Sequence, residues 1–153
     1  MRNFPPERII CLTEETVETL YLLGEQNRIV GVTGYAVRPP VVRKDKERVS
    51  AFTSAKIDKI LSLQPDLVLA FSDLQADIAA ELIKSGVAVM TYNQRDIAGI
   101  LAMIRHLGAI VGVGDKAEEL ASSYEKRLND LQIKKKYVHR PRVYFEEWNS
   151  PMI

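Results

Sequence analysis

The amino-acid sequence predicts an α/β chain, a Rossmann-like lobe with a central parallel sheet flanked by helices and followed by a long helix. Three observations carry this prediction. Short apolar runs, too brief for a stable helix, alternate with segments whose apolar residues recur at helical spacing. Most of the short runs lack polar alternation, as strands buried on both faces do. Glycine or proline stops the helical segments at their ends.

The strand pattern occurs at Arg8 to Leu12, Ile29 to Val32, Asp66 to Phe71 and Val87 to Tyr92. Between the first two, Glu15 to Leu23 sets Val17, Leu20 and Leu23 on one helical face and stops at Gly24. Thr13 stands where it can cap that helix, and Glu14 and Glu15 suit the positive end of its dipole. Lys56 to Leu63 holds Ile57, Ile60, Leu61 and Leu63 in helical phase ahead of Pro65. Ala76 to Lys84 closes at Gly86, and Ile97 to Val111 carries Ile97, Ile100, Leu101, Ile104 and Gly108 on one stripe. After Gly112-Val113-Gly114, Asp115 is placed to cap a polar helix from Lys116 to about Lys135, roughly 30 Å long. Its single stripe, Ala117, Leu120, Ala121, Tyr124, Leu128 and Leu131, predicts a helix lying across a surface with its other side in water. A fresh strand pattern, Arg142 to Trp148, follows Pro141; a strand with nothing after it predicts a fragment cut just inside a second domain.

Composition excludes several functions. With 153 residues, 46% hydrophobic and 27% charged, the chain can bury one substantial core. A formal net charge of +1 creates no field to gather nucleic acid, and the basic run Lys134-Lys135-Lys136 is short and lies near Asp130. No nucleic-acid partner is expected. Cys11 is the single cysteine, which excludes an intramolecular disulfide and a cysteine zinc knuckle; its apolar run predicts a buried thiol. No stretch approaches the roughly 18 apolar residues of a span, so no membrane insertion is expected. Met1 to Glu7 has no apolar run of a secretory signal, and a lipid-modified Cys11 would need such a run where Pro5, Pro6, Glu7 and Arg8 stand.

Catalytic readings are weak. Gly112-Val113-Gly114-Asp115-Lys116-Ala117 fits the G-x-G-x-x-A form of a dinucleotide fingerprint, the basis of an alternative reading as a nucleotide-dependent enzyme domain. That fingerprint must follow a strand, and Ile97 to Val111 reads as helix. His106 and His139 lack metal-ligand spacing, and no G-x-S-x-G string occurs. No catalytic residue and no metal site is expected. A third reading, dimerisation through the long helix, is opposed by Glu118, Glu119, Lys126 and Arg127 along it.

What remains is a set of polar and aromatic residues just after strand ends: Thr13-Glu14-Glu15-Thr16, Thr33-Gly34-Tyr35, Phe71-Ser72-Asp73 and Asn93-Gln94. Ligands of open parallel sheets collect at the carboxyl ends of the strands. One such group is an ordinary cap or turn; recurrence after four strands predicts a site.

These residues also resemble a family. Arg8-Ile9-Ile10-Cys11-Leu12-Thr13 with Glu18 and Gly24, then Arg28-Ile29-Val30-Gly31-Val32-Thr33 leading to Tyr35 and Pro39-Pro40, resembles the opening of the iron-siderophore and vitamin B12 (cobalamin) binding proteins that serve ABC importers. The run Ile57-Asp58-Lys59-Ile60-Leu61-Ser62-Leu63-Gln64-Pro65-Asp66-Leu67-Val68-Leu69-Ala70 is similar to that family's most recognisable stretch, and Leu107-Gly108 to Gly114, then Ala117 to Ala121 and Tyr124, to the start of its inter-lobe helix. The resemblance implies two α/β lobes joined by one helix, with ligand in the cleft between them. Residues 1–114 would be the first lobe, 115–136 the helix and 137–153 the start of the second. It implies no cofactor of the protein's own, a cobalamin or ferric chelate as ligand, an ABC permease as partner, and a periplasmic or cell-surface location. Tyr35 and Phe52 fall where cobalamin-binding members set aromatics against the ligand, Trp148 is a candidate from the second-lobe strand, and Asp77 is near the acidic residue that docks on the importer. Phe52 has a competing reading as a core residue of the loop after Val49. Glu14 departs from the family, replacing the usual proline, and Glu14-Glu15 makes the presumed cleft acidic.

Overall fold

A computed structural model describes residues 4–135 and 139–146. Its five strands, β1 Ile9–Cys11, β2 Ile29–Thr33, β3 Glu47–Ser50, β4 Leu67–Phe71 and β5 Val89–Tyr92, form one all-parallel sheet in the order β3-β2-β1-β4-β5. Six helices accompany them: α1 Glu14–Leu22, α2 Val42–Asp45, α3 Ile57–Ser62, α4 Ala76–Lys84, α5 Ile97–Ile110 and α6 Gly114–Lys134. The chain divides into two compact units, Met1–Ser122 and Ser123–Ile153.

In the first unit β1 is the centre. Ile9, Ile10, Cys11 and Leu12 are fully buried, flanked by Ile29 to Val32 on one side and Leu67 to Leu69 on the other. Alternate side chains of a strand serve opposite faces. Ile10 and Leu12 join Val49, Ile60, Val68, Ala70, Ile78 and Leu82 in a core roofed by α3 and α4. Cys11 turns to the other face, where its thiol meets Thr16 of α1 and burial pushes it up to about 12. That thiol is inert, as a small buried hydrophobe would be.

Helix ends follow the expected signals. Gly24 and Gly112 take φ of +80° and +81°, the left-handed conformation that returns amide hydrogens to the last carbonyls: Gly112 N–H to Ala109 O and Val113 N–H to Gly108 O. Gly108 also lies against Ala117 of α6, so closely that a side-chain carbon there would come within 2.1 Å of the Ala117 Cβ. α5 is helix up to Ile110, so Gly112 to Ala117 follows a helix and lacks the strand a dinucleotide fingerprint requires. These glycines turn one helix into the next. α6 begins at Gly114, which puts Asp115 inside its first turn and not at its cap.

Two readings are corrected. β3 has no counterpart among the sequence patterns because Glu47 and Arg48 face solvent at the sheet edge, leaving Val49 as the buried member. The strand pattern from Arg142 onward is not realised among the described residues: 139–146 are exposed and form no ladder, since a strand forms only against a partner. In the second unit, the α6 residues Arg127, Asp130, Leu131 and Lys134 line a shallow surface cavity, and Arg127 lies over the Tyr124 ring at 5.9 Å.

Candidate functional site

The strand order places a topological switch between β1 and β4. From β1 the chain winds outward through β2 and β3, then returns past β1 to build β4 and β5 on its other side. Loops leaving β1 and β4 therefore diverge at their carboxyl ends and leave a crevice, the place where open α/β sheets bind ligands. Thr13 and Ser72 stand at that divergence.

The carboxyl edge holds unsatisfied polar groups. Thr13 Oγ1, Ser50 Oγ, Tyr92 Oη and Gln94 Oε1 are buried without a hydrogen-bond partner among the described residues, and only Gln26 Oε1 shares that state elsewhere. Ser50 and Tyr92 end their strands, while Thr13 and Gln94 come two residues after theirs. A buried unpaired polar group costs about 1–3 kcal/mol, so its clustering at one edge calls for an explanation. Burial pushes the Tyr92 phenol up to about 12, so it stays protonated well above its ordinary range. Thr13 does occupy the N-cap of α1, but its hydroxyl makes no capping bond; Thr16 Oγ1 instead donates to the Thr13 carbonyl at 3.2 Å.

Between β1 and β4 sits a residue that sequence reasoning missed. Gln75 is fully buried. Its Nε2 donates to Leu12 O at 3.2 Å and to Phe52 O at 2.8 Å, and its Oε1 accepts from Phe71 N–H at 2.9 Å. One carboxamide thus ties the ends of β1 and β4 to the loop after β3. Ser72 beside it is also buried and takes φ +56°, a disfavoured conformation costing on the order of 1–3 kcal/mol. Its N–H donates to Tyr92 O at 2.7 Å and its Oγ accepts from Leu74 N–H at 3.3 Å.

Around these buried groups runs an exposed apolar rim. Tyr35 after β2, Phe52 after β3, Leu74 after β4, and Ile97 and Ile100 after β5 are all exposed, Tyr35 at 62% and Phe52 at 36%. Phe52 is therefore not a core residue, although its carbonyl is anchored. The charged groups nearby are mostly spoken for: Arg38 reaches Glu14 at 3.4 Å and Glu18 at 3.3 Å, Gln94 Nε2 donates to Glu15 Oε1 at 3.2 Å, and Arg95 reaches Asp73 at 3.2 Å while covering the Phe71 ring at 5.5 Å. The acidity expected of Glu14 is thus offset by Arg38.

Thr13, Glu14, Glu15, Tyr35, Phe52, Phe71, Ser72, Asp73 and Asn93 accordingly all lie on loops, helix starts or, for Phe71, the last strand residue at one edge, with Thr13 and Ser72 inside it and Asp73 and Asn93 at its exposed margin. Asp77 is exposed in the first turn of α4. Trp148 lies outside the described residues. Among the described residues no group of three or more His, Cys, Asp or Glu could hold a metal ion, and no helix is long and apolar enough to cross a membrane.

Comparison with known proteins bears on this edge. A family model described as periplasmic binding protein matches residues 9–153. An uncharacterized ABC transporter substrate-binding lipoprotein of Bacillus subtilis is 32% identical over 88% of this chain and 44% of its own length. The vitamin B12-binding protein of Vibrio cholerae is 30% identical over 99% of this chain and 55% of its own. The crystal structure of the periplasmic vitamin B12 binding protein of Vibrio cholerae superposes with a TM-score of 0.85 at 26% identity, covering 98% of this chain and 59% of that one. The chain spans about half the length of these relatives.

Proposed function

The chain belongs to the periplasmic binding protein family, and from that premise we propose that it supplies one wall of a ligand site for ABC-type import, taking a corrinoid or similar large planar metal chelate. The observation that carries the reading is the composition of the carboxyl edge, buried unpaired polar atoms inside an exposed apolar rim. A corrinoid has apolar faces that suit Tyr35 and Phe52, and peripheral amides that suit Thr13, Tyr92 and Gln94. Its likeness to vitamin B12-binding proteins supports the same ligand.

On this reading the protein works by binding, without turnover and without a cofactor of its own. It acts at the periplasmic face or cell surface, and hands ligand to an ABC permease on which the exposed Asp77 docks. Titration of the full-length gene product with cyanocobalamin, hemin and a ferric siderophore is the test. Saturable binding of cyanocobalamin is expected; binding of hemin or the siderophore alone would overturn the corrinoid assignment.

A further inference from the structure

We infer that Gln75 is a positioning residue for the ligand site, holding the ends of β1 and β4 and the Phe52 loop in one geometry before ligand arrives. The inference rests on the binding function proposed above. A primary amide offers two N–H donors and a carbonyl acceptor. Gln75 uses all three functions, on Leu12 O, Phe52 O and Phe71 N–H. Those partners come from three separate stretches of chain, so no local turn could join them. Leu12 N–H still belongs to the sheet, bonding Leu69 O at 2.9 Å, whereas the Leu12 carbonyl faces Gln75.

The Phe52 loop depends on this bond. Its own bonds, Ala51 N–H to Ser54 O at 2.8 Å and Lys56 N–H to Val49 O at 2.9 Å, close it on itself. The Gln75 bond joins its tip to the ends of the central strands, and with it the exposed Phe52 ring. Other side chains could not do this. Asn is one methylene short, Met has no donor and only a weak acceptor, and an ionised Glu has no donor. Fixing a loop in its bound conformation raises affinity by removing the entropy lost on ordering it.

The test combines residue-resolved amide exchange with cyanocobalamin titration on the full-length protein, unaltered and as Gln75→Met and Gln75→Glu. In the unaltered protein Phe71 N–H should exchange as slowly as Leu12 N–H. Gln75→Met should speed exchange at Phe71, Ala51 and Lys56 about tenfold while sparing Leu12, and weaken cyanocobalamin binding about tenfold. Gln75→Glu should regain affinity as pH falls from about 8 to about 5, since the protonated acid recovers one donor; the unaltered protein should show no such trend. Fast exchange at Phe71 in the unaltered protein, equal acceleration at every amide in Gln75→Met, or undiminished affinity in that variant would overturn the positioning role. If the unaltered protein binds no cyanocobalamin, the proposed function fails, and the exchange measurements decide the role of Gln75 on their own.

Discussion

The two ends of the sheet are built on opposite terms. At the amino end most polar groups are matched, Gln26 Oε1 excepted: Asp66 accepts from Glu7 N–H at 2.7 Å and Arg8 N–H at 3.0 Å, and Arg8 returns bonds to Leu63 O and Gln64 O. Lys46 Nζ donates to Gln26 O and Ile29 O, and Arg28 to Pro6 O. At the carboxyl end, four buried oxygens stand unpaired among exposed aromatic and aliphatic side chains. The difference separates two tasks. Paired polar groups lock strands in register, and under the function proposed above the unpaired ones belong to the ligand edge. Asp66, inside the stretch that most resembles the family, belongs to the first task.

The largest expected effect acts on two buried groups at the carboxyl end, the last residues of β1 and β5. Cys11 and Tyr92 are raised from 9.0 and 10.0 to about 12 in the folded chain. In the unfolded chain both ionise earlier, so their contribution to stability is full well below pH 9.0 and is lost as pH rises toward about 12. Urea unfolding at neutral and alkaline pH should show this fall, with a shallower slope in Cys11→Ala. An equal slope in that variant would mean the thiol does not contribute.

Asp66→Ala tests the amino end. It should lower unfolding stability by about 2 kcal/mol and leave the affinity of the folded protein for cyanocobalamin unchanged. Tyr35→Ala should do the reverse, weakening cyanocobalamin about tenfold, or about 1.4 kcal/mol, with the thermal midpoint nearly unmoved. A stability loss as large as a core truncation at Tyr35 would erase the distinction between the two ends.

Finer still is Thr13→Val, which removes an unpaired hydroxyl at almost constant volume. Stability should hold or rise by up to about 1 kcal/mol while ligand affinity falls. A clear stability loss would mean that the hydroxyl already has a structural partner. Arg38→Ala should change stability by no more than about 0.5 kcal/mol, because its pairs with Glu14 and Glu18 are exposed at the arginine end. Scanning calorimetry of both variants checks these figures.

Much of this division was legible in residue order. Strands in the middle of the sheet announce themselves as apolar runs, which is why β1, β2 and β4 were readable; of the two edge strands, β5 kept an apolar run around Thr91 and was readable, whereas β3, with Glu47 and Arg48 outward, was not. The candidate edge was readable as a place, because parallel strands share a carboxyl end and the polar residues after Cys11 and Phe71 fall there. Its organising residue was not. Gln75 looks like any polar residue at a helix start, and its burial is set by Leu12 and Phe52, 63 and 23 positions away. Thr13 misled in the other direction, since the pattern that marks a cap also serves a hydroxyl that caps nothing.

The central position of β1 also governs the order of assembly. Ile9 pairs with Ile29 on one side and Leu67 on the other, so the strand that leads into the site is completed only when chain some 58 residues downstream has been made and brought back. Closing so long a loop is slow compared with forming a helix or a hairpin. Until then Ile9 to Leu12, the most apolar part of the future core, stays open to water and to other chains. β1 is therefore a segment that a chaperone would need to shield for long on a nascent chain.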